Sequence, residues 1–395
     1  MFGEYGDVNP SITDSSTYTF LDPQRMEEVF EHEIEGCFLY SRHFNPTNKH
    51  LAEALARMED GVSAQVMASG MGAISTTLMT LAGSGDEIIA GRSIYGGTYA
   101  LLKNLLPRFG VTTRFVDLSD PEAVRATFSA RTRVVYCESI SNPLLEVSDL
   151  PRLAQQAHEH GAQLVVDNTF SPMLLSPLRH GADVVIHSLT KYVNGTSDCV
   201  AGCVVSTHEF IARLNDINAG PSMLLGPVLD ATRAAGILKN LHSLHIRMRQ
   251  HGTNALFLAQ HLEAKGYGVH YPGLLSHPQH ALLGTLMNPG YGWGGMMTLD
   301  AGDRETGNRL MALMQRDKVG YLAVSLGYFK TLFSSPGSST SSEIPVEERA
   351  AAGLSPGLIR FSIGLDEDIA LALHRIERCM AEAGVQAARR VTVPR

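Results

Sequence analysis

This chain of 395 residues lacks any stretch of about 18 apolar residues, so nothing in it predicts a transmembrane helix. Charge is sparse, 18% of residues, and its balance is −8. A clustered positive face for nucleic acid or an anionic membrane is therefore not expected. Only Arg389, Arg390 and Arg395 near the C-terminus lean basic. Cysteine is scarce and odd in number: Cys37, Cys137, Cys199, Cys203 and Cys379. No pair has zinc-site spacing, and the five read as reduced thiols of a cytoplasmic protein, not as a disulfide framework. The N-terminus carries Glu4, Asp7 and Asp14 without an apolar block, so no signal peptide is expected. The G-x-G-x-x-G spacing of a dinucleotide fingerprint is also missing.

What remains is an ordinary globular balance, 44% hydrophobic, in a chain long enough for two domains. Residues 1–50 show little periodicity and are rich in Ser, Thr, Asn and Pro. The segment 1–45 reads as an arm that packs on a neighbouring subunit. From there, 46–240 reads as one domain and 241–395 as a smaller C-terminal α+β domain.

In the first of these, a helix is predicted over 48–60 from the spacing of Leu51, Leu55 and Met58. Short Val- and Ile-rich runs then alternate with amphipathic segments. They are Ala64–Ala68, Glu87–Ala90, Thr113–Val116, Val134–Cys137, Leu164–Val166, Val184–Ile186 and Cys203–Val205. That cadence predicts a seven-stranded, mostly parallel sheet covered on both faces. Ligands collect at the C-terminal ends of such strands. A long helix is predicted over 228–263, and strands over Met296–Leu299, Tyr321–Val324 and Leu358–Ile363. Ser334–Pro345 reads as a long loop.

The polar residues after the strand runs carry the chemistry. The run Asp183–Lys191 ends a buried-type strand in Ser188, Thr190 and Lys191. Desolvation there favours a neutral, nucleophilic amine that an aldehyde cofactor can capture, with both hydroxyls near a phosphate. Taken alone, Lys191 reads equally well as a strand-ending surface lysine. Upstream, Asp167 and Thr169 follow another strand, and a pyridine cofactor needs an acid at its ring nitrogen. Capping is the bland alternative. Ser69-Gly70-Met71-Gly72 opens a helical pattern, Ala73–Leu81, where small residues let backbone N–H groups approach a phosphate. Tyr95 sits on a loop at the same edge, able to stack on a ring or act as acid or base. Two other patterns are set aside. Gly353-Leu354-Ser355-Pro356-Gly357 lacks the strand that a hydrolase nucleophile needs, and His158-Glu159-His160 has no metal spacing and reads as solvated charge on an exposed helix.

Eight motifs stand in order: YSRHFNPT (40–47), ASGMGAI (68–74), IYGGTY (94–99), ESISNP (138–143), VVDNTF (165–170), HSLTKY (187–192), AVSLG (323–327) and IRFSIGLD (359–366). Together they resemble the Cys/Met-metabolism family of enzymes dependent on pyridoxal 5′-phosphate, from about Tyr40 to Leu365. The resemblance implies a type I (aspartate aminotransferase-like) α/β fold, active as a dimer and usually assembled as a dimer of dimers. It implies Lys191 as the Schiff-base lysine, Asp167 as the pyridine-nitrogen partner and Tyr95 as the stacking ring and proton donor to the leaving group. Ser69, Gly70, Met71, Thr169, Ser188 and Thr190 would complete the cofactor site. Tyr40 and Arg42 would reach the phosphate of the neighbouring subunit. Arg360, Asn142 and Ser325 would hold the substrate carboxylate, Ser325 also the lysine.

On the substrate side, Gly97 stands where methionine γ-lyases carry a cysteine. Val324 stands where cystathionine γ-lyases tend to have a glutamate, and Thr340-Ser341 where much of the family reads Thr-His. The implied reaction is γ-elimination from a methionine-like amino acid, or from one with a polar or cationic γ-substituent such as canavanine, with Glu343 facing a cationic tail. The alternative is γ-replacement, as in cystathionine γ-synthase or O-acyl-homoserine sulfhydrylase. A β-lyase and a catalytically silent cofactor-binding protein are the remaining readings.

Overall fold

A computed structural model describes residues 6–31, 34, 36–338 and 354–387. All seven apolar runs form strands: β1 Ser63–Met67, β2 Glu87–Gly91, β3 Thr112–Val116, β4 Thr132–Glu138, β5 Gln163–Asp167, β6 Val184–Ser188 and β7 Gly202–Ser206. They pair in the order β1-β7-β6-β5-β4-β2-β3. Strands β2 to β6 run parallel, while β7 is antiparallel to both β6 and β1. Successive residues face opposite layers, as the pleat requires. Leu164, Val166, Val185 and Val205 pack with Leu51 and Leu55 of the helix Pro46–Met58. Val165, Val184, Ile186 and Val204 pack with Ile74 and Leu78 of the helix Gly70–Leu81. With both faces covered, apolar burial of about 1.5–3 kcal/mol per large side chain accumulates on each. The shared direction of β2 to β6 also leaves the residues after those strands at one edge of the sheet.

A second sheet has the order β10-β11-β12-β9-β8. Its strands are β8 Gly268–His270, β9 Met296–Asp300, β10 Tyr321–Leu322, β11 Leu332–Ser334 and β12 Leu358–Ser362. Leu299, Ile359 and Phe361 pack there against Leu310 and Met314 of the helix Arg304–Arg316 and Ile376 and Met380 of the helix Ile369–Ala383. Strands β8 and β11 are additions to the sequence reading, each three residues long. Strand β10 stops at Leu322, so Val324 and Ser325 lie in the loop beyond it.

The long helix expected over 228–263 is two helices, Ala231–Leu241 and Leu244–Ala264. The break has a tertiary cause. Arg247, one turn beyond it, donates from Nη2 to Asn240 O at 3.0 Å and to Val193 O at 2.9 Å, and from Nε to Ser243 Oγ at 3.1 Å. The carbonyl freed at the break thus shares a guanidinium with the segment just after Lys191. The second helix serves both cores, Leu244 and Met248 in the first, Leu258 and Leu262 in the other.

Smaller features differ from expectation. His158 is not simply solvated: its Nε2 lies 2.9 Å from Asp183 Oδ2, and the His160 ring stacks on Phe128 at 4.1 Å. In the N-terminal segment, Pro23–Glu31 is helical and Thr17 bridges to Tyr40. Ser355, of the hydrolase-like pattern, donates to Asp300 Oδ1 at 2.9 Å, beside the start of β12. Among the described residues no helix is long and apolar enough to cross a membrane.

Candidate active site

The ends of β4, β5 and β6 and two segments of the second sheet surround a cavity of about 430 Å³. Its lining includes Ser69, Gly70, Met71, Tyr95, Asn142, Asp167, Thr169, Ser188, Thr190, Lys191, Val324 and Arg360. Residues up to 291 positions apart in the chain are thereby brought together, with Ser325 bonded to two of them.

Lys191 lies in the turn after β6, and its Nζ donates to Ser325 Oγ at 3.1 Å. Burial, then the nearby Arg360 charge, pull its ammonium down to about 8. Loop 323–327 lies directly on this turn: a Cβ at Gly327 would be 2.4 Å from Tyr192 N, and its φ is +74°. Only glycine permits that approach. Arg360, on β12 and 2% exposed, donates to Asn142 Oδ1 at 2.9 Å and to Ser325 O at 3.3 Å. Burial lowers it to about 10, still a cation at neutral pH.

Two carboxylates face the same space. Asp167 ends β5; its Oδ1 accepts from Thr169 N at 2.9 Å and its Oδ2 from the Tyr136 hydroxyl at 3.5 Å. Burial raises it above the usual carboxylate range. Glu138 ends β4 and accepts from the backbone N–H groups of Tyr95 and Asn142, both at 2.7 Å. Burial, then the Asp167 charge, push it up to about 8. Each acid therefore has hydrogen bonds but too little positive charge, a setting that favours a cationic ligand group.

At the other end, Ser69 caps the helix Gly70–Leu81 by accepting from Gly72 N at 2.9 Å. A Cβ at Gly70 would lie 2.8 Å from Ser188 Cβ, so glycine lets the helix start meet β6 closely. The Ser188 N–H donates to Thr169 Oγ1 at 2.8 Å, and the Thr190 hydroxyl donates to Ala201 O at 3.2 Å. A helix N-terminus with hydroxyls around it suits a phosphate. Phosphate cradle, buried acid and depressed lysine lie around one cavity, and this donor set fits pyridoxal 5′-phosphate.

Not every candidate falls here. Tyr40 is 43% exposed, with the Arg42 guanidinium 5.5 Å from its ring centroid. Arg42 donates to Met223 O at 2.9 Å and lines a separate cavity of about 890 Å³. Gly97 does not line the Lys191 cavity. A Cβ there would be 2.5 Å from Tyr95 Cε1, so the tyrosine ring already fills the room that the glycine leaves. Thr340, Ser341 and Glu343 lie outside the described residues. Glu138 was overlooked although the signal that singles out Asp167, a carboxylate just after an apolar run, applies to it equally. Phe170, Ile140 and Leu326 also line the cavity, and as apolar residues they carry no comparable signal.

Known proteins resemble this chain over most of its length. The family described as Cys/Met metabolism PLP-dependent enzyme matches residues 2–374. A methionine gamma-lyase of Arabidopsis thaliana is 44% identical over 369 residues, 92% of this chain and 84% of that protein. A cystathionine gamma synthase of Xanthomonas oryzae pv. oryzae superimposes with a TM-score of 0.88 at 33% identity, covering 96% of this chain and 95% of its own. An O-acetylhomoserine (thiol)-lyase of Campylobacter jejuni, whose structure holds a pyridoxyl-lysine monophosphate, gives 0.89 at 28% identity, covering 96% and 97%. This chain belongs to the Cys/Met-metabolism family and is a pyridoxal 5′-phosphate-dependent enzyme.

Proposed function

We propose that the chain catalyses γ-elimination from an L-amino acid with a methionine-like side chain, consuming one water and giving a 2-oxo acid, ammonia and the protonated leaving group. The observation that carries it is the convergence of Lys191, Asp167 and Arg360 on one cavity. The elimination branch is supported by the 44% identity to a methionine γ-lyase.

Pyridoxal 5′-phosphate, when bound, supplies an electron sink for the pair left at the substrate's α-carbon. The backbone N–H groups of Gly70 and Met71 and the hydroxyls of Ser188 and Thr190 would hold its phosphate, with Ser69 and Thr169 beside them, and Asp167 would keep its ring nitrogen protonated. Lys191, at about 8, has a neutral fraction near neutral pH and takes the proton from Cα, gives it up again, and as a free amine then takes one from Cβ. The Tyr95 hydroxyl gives a proton to the departing γ-substituent. Arg360 grips the substrate carboxylate with two N–H groups, its plane set by Asn142 and Ser325. Tyr40 and Arg42, which do not line the Lys191 cavity of their own chain, serve the phosphate end of a neighbouring copy in a cytoplasmic homo-oligomer.

The test is 2-oxo acid release by the cofactor-loaded protein across methionine, homocysteine, cystathionine, O-acyl-homoserines and canavanine, with and without cysteine. Release from methionine without added nucleophile is expected. Turnover of canavanine alone would move the substrate class to cationic γ-substituents. Product only with cysteine would move the protein to γ-replacement.

A further inference from the structure

Behind the cavity, on the opposite face of the first sheet, lies a cluster that the mechanism above does not use. Glu59, the residue after the helix Pro46–Met58, is fully buried, and so are His187, Asn168, Ser139 and Ser171. Glu59 Oε1 lies 2.6 Å from His187 Nε2 and accepts from Asn168 Nδ2 at 2.9 Å. Asn168 Oδ1 accepts from the hydroxyls of Ser139 at 2.8 Å and Ser171 at 2.9 Å. The Ser139 N–H donates to Asp167 O at 3.0 Å, and the Asn168 N–H to Ile186 O at 2.8 Å.

The chain positions matter more than the count of bonds. Ser139 follows Glu138, Asn168 follows Asp167, and His187 precedes Ser188. Each strand end that lines the cavity therefore has its chain neighbour in this cluster. A carboxylate at a helix C-terminus faces the negative end of the dipole, and burial adds a desolvation cost. Glu59 Oε2 and His187 Nδ1 have no hydrogen-bond partner among the described residues. Apolar residues at Glu59 and His187 together would avoid both costs, so stability alone does not account for the pair.

We infer that Glu59 is a positioning residue that, through His187 and Asn168, sets the spacing of the β4, β5 and β6 ends and so the affinity of the site for its cofactor. This inference rests on the reading of the Lys191 cavity as the cofactor site. Glu59→Gln replaces the carboxylate by an amide of the same size, whose oxygen can offer His187 and Asn168 only weaker, neutral hydrogen bonds, and so loosens the clamp without removing volume.

The readout is binding of pyridoxal 5′-phosphate to the full-length, cofactor-stripped protein, by absorbance titration, with Tm measured before and after addition. For Glu59→Gln, Kd is expected to rise about tenfold, and the Tm gain on cofactor addition to shrink. Leu310→Ala, in the core of the second sheet, is the control. It lowers Tm through a cavity but leaves Kd within about twofold. If Glu59→Gln weakens the cofactor no more than Leu310→Ala, the inference is overturned and Glu59 is merely structural. Should Glu59→Gln not fold, His187→Asn, which breaks the same contact from the other partner, carries the same expectation and the same refutation. Borohydride reduction followed by peptide mapping to Lys191 checks the cavity reading separately.

Discussion

The cavity edge of the first sheet and the helices packed on the second treat charge in opposite ways. At the first, Glu138 and Asp167 are buried and raised by burial, and Lys191 is lowered by it. At the second, Asp317 accepts from Arg316 and Arg378, each at 2.7 Å, and Arg316 reaches Glu382 at 2.8 Å. Hydrogen bonds to Arg316 and Arg378 hold Asp317 well below the usual carboxylate range. An acid with its cation beside it has nothing left to offer a ligand. Buried acids and a lysine hydrogen-bonded to neutral groups do, and the fold bears the cost of keeping them there. The second sheet still reaches into the site, sending Arg360 from β12 and Ser325 from the loop after β10.

If that contrast is functional, changes at the first sheet's edge should remove activity out of proportion to stability. Lys191→Ala has the largest expected effect. It deletes the base, and 2-oxo acid release should fall by about 10⁴-fold or more while the apoprotein remains folded. Residual turnover near wild type would exclude Lys191 from the chemistry. Arg360→Lys comes next. The planar two-point donor is lost, and KM should rise about 10- to 100-fold, with kcat less affected. An unchanged KM would mean that the substrate carboxylate binds elsewhere.

The same contrast decides what was legible in the sequence. The first sheet could be read because strands buried on both faces are runs of Val and Ile, and because polar residues at their C-terminal ends share one edge. Lys191 and Asp167 came from that rule. Direction was not legible: nothing in Gly202–Ser206 marks β7 as antiparallel. Nor was the break after Leu241, since it depends on Arg247 meeting carbonyls some 54 residues upstream. The pairing of Arg360 with Asn142 spans 218 positions and followed from the family's motifs, not from local pattern. Glu59 looked like an ordinary helix end because its partners arrive only with the folded sheet.

Lys191 also allows the contrast to be tested without substrate. Its depressed value means that the unfolded chain binds this proton more tightly than the folded one. Burial of the ammonium therefore weakens the cofactor-free fold below about 8, and the penalty fades as pH rises from there towards 10.5. Lys191→Met should stabilise the apoprotein at pH 7, by on the order of 2–3 kcal/mol. The advantage should shrink between pH 8 and 10 in urea unfolding. A pH-independent difference would show that packing, not charge, separates the two proteins.

The smallest effect belongs to the second sheet. Arg378→Ala removes one of the two arginines on Asp317, but Arg316 keeps its own hydrogen bond to that carboxylate. The arginines are more than half exposed, so water and salt already screen the pair. The Tm should fall by no more than about 2 °C at moderate salt, and by less at high salt. Cofactor affinity and KM should not move. Comparable loss here and at Lys191 would dissolve the distinction. Its absence would leave the stripped charges of the first sheet's edge as the feature on which function depends.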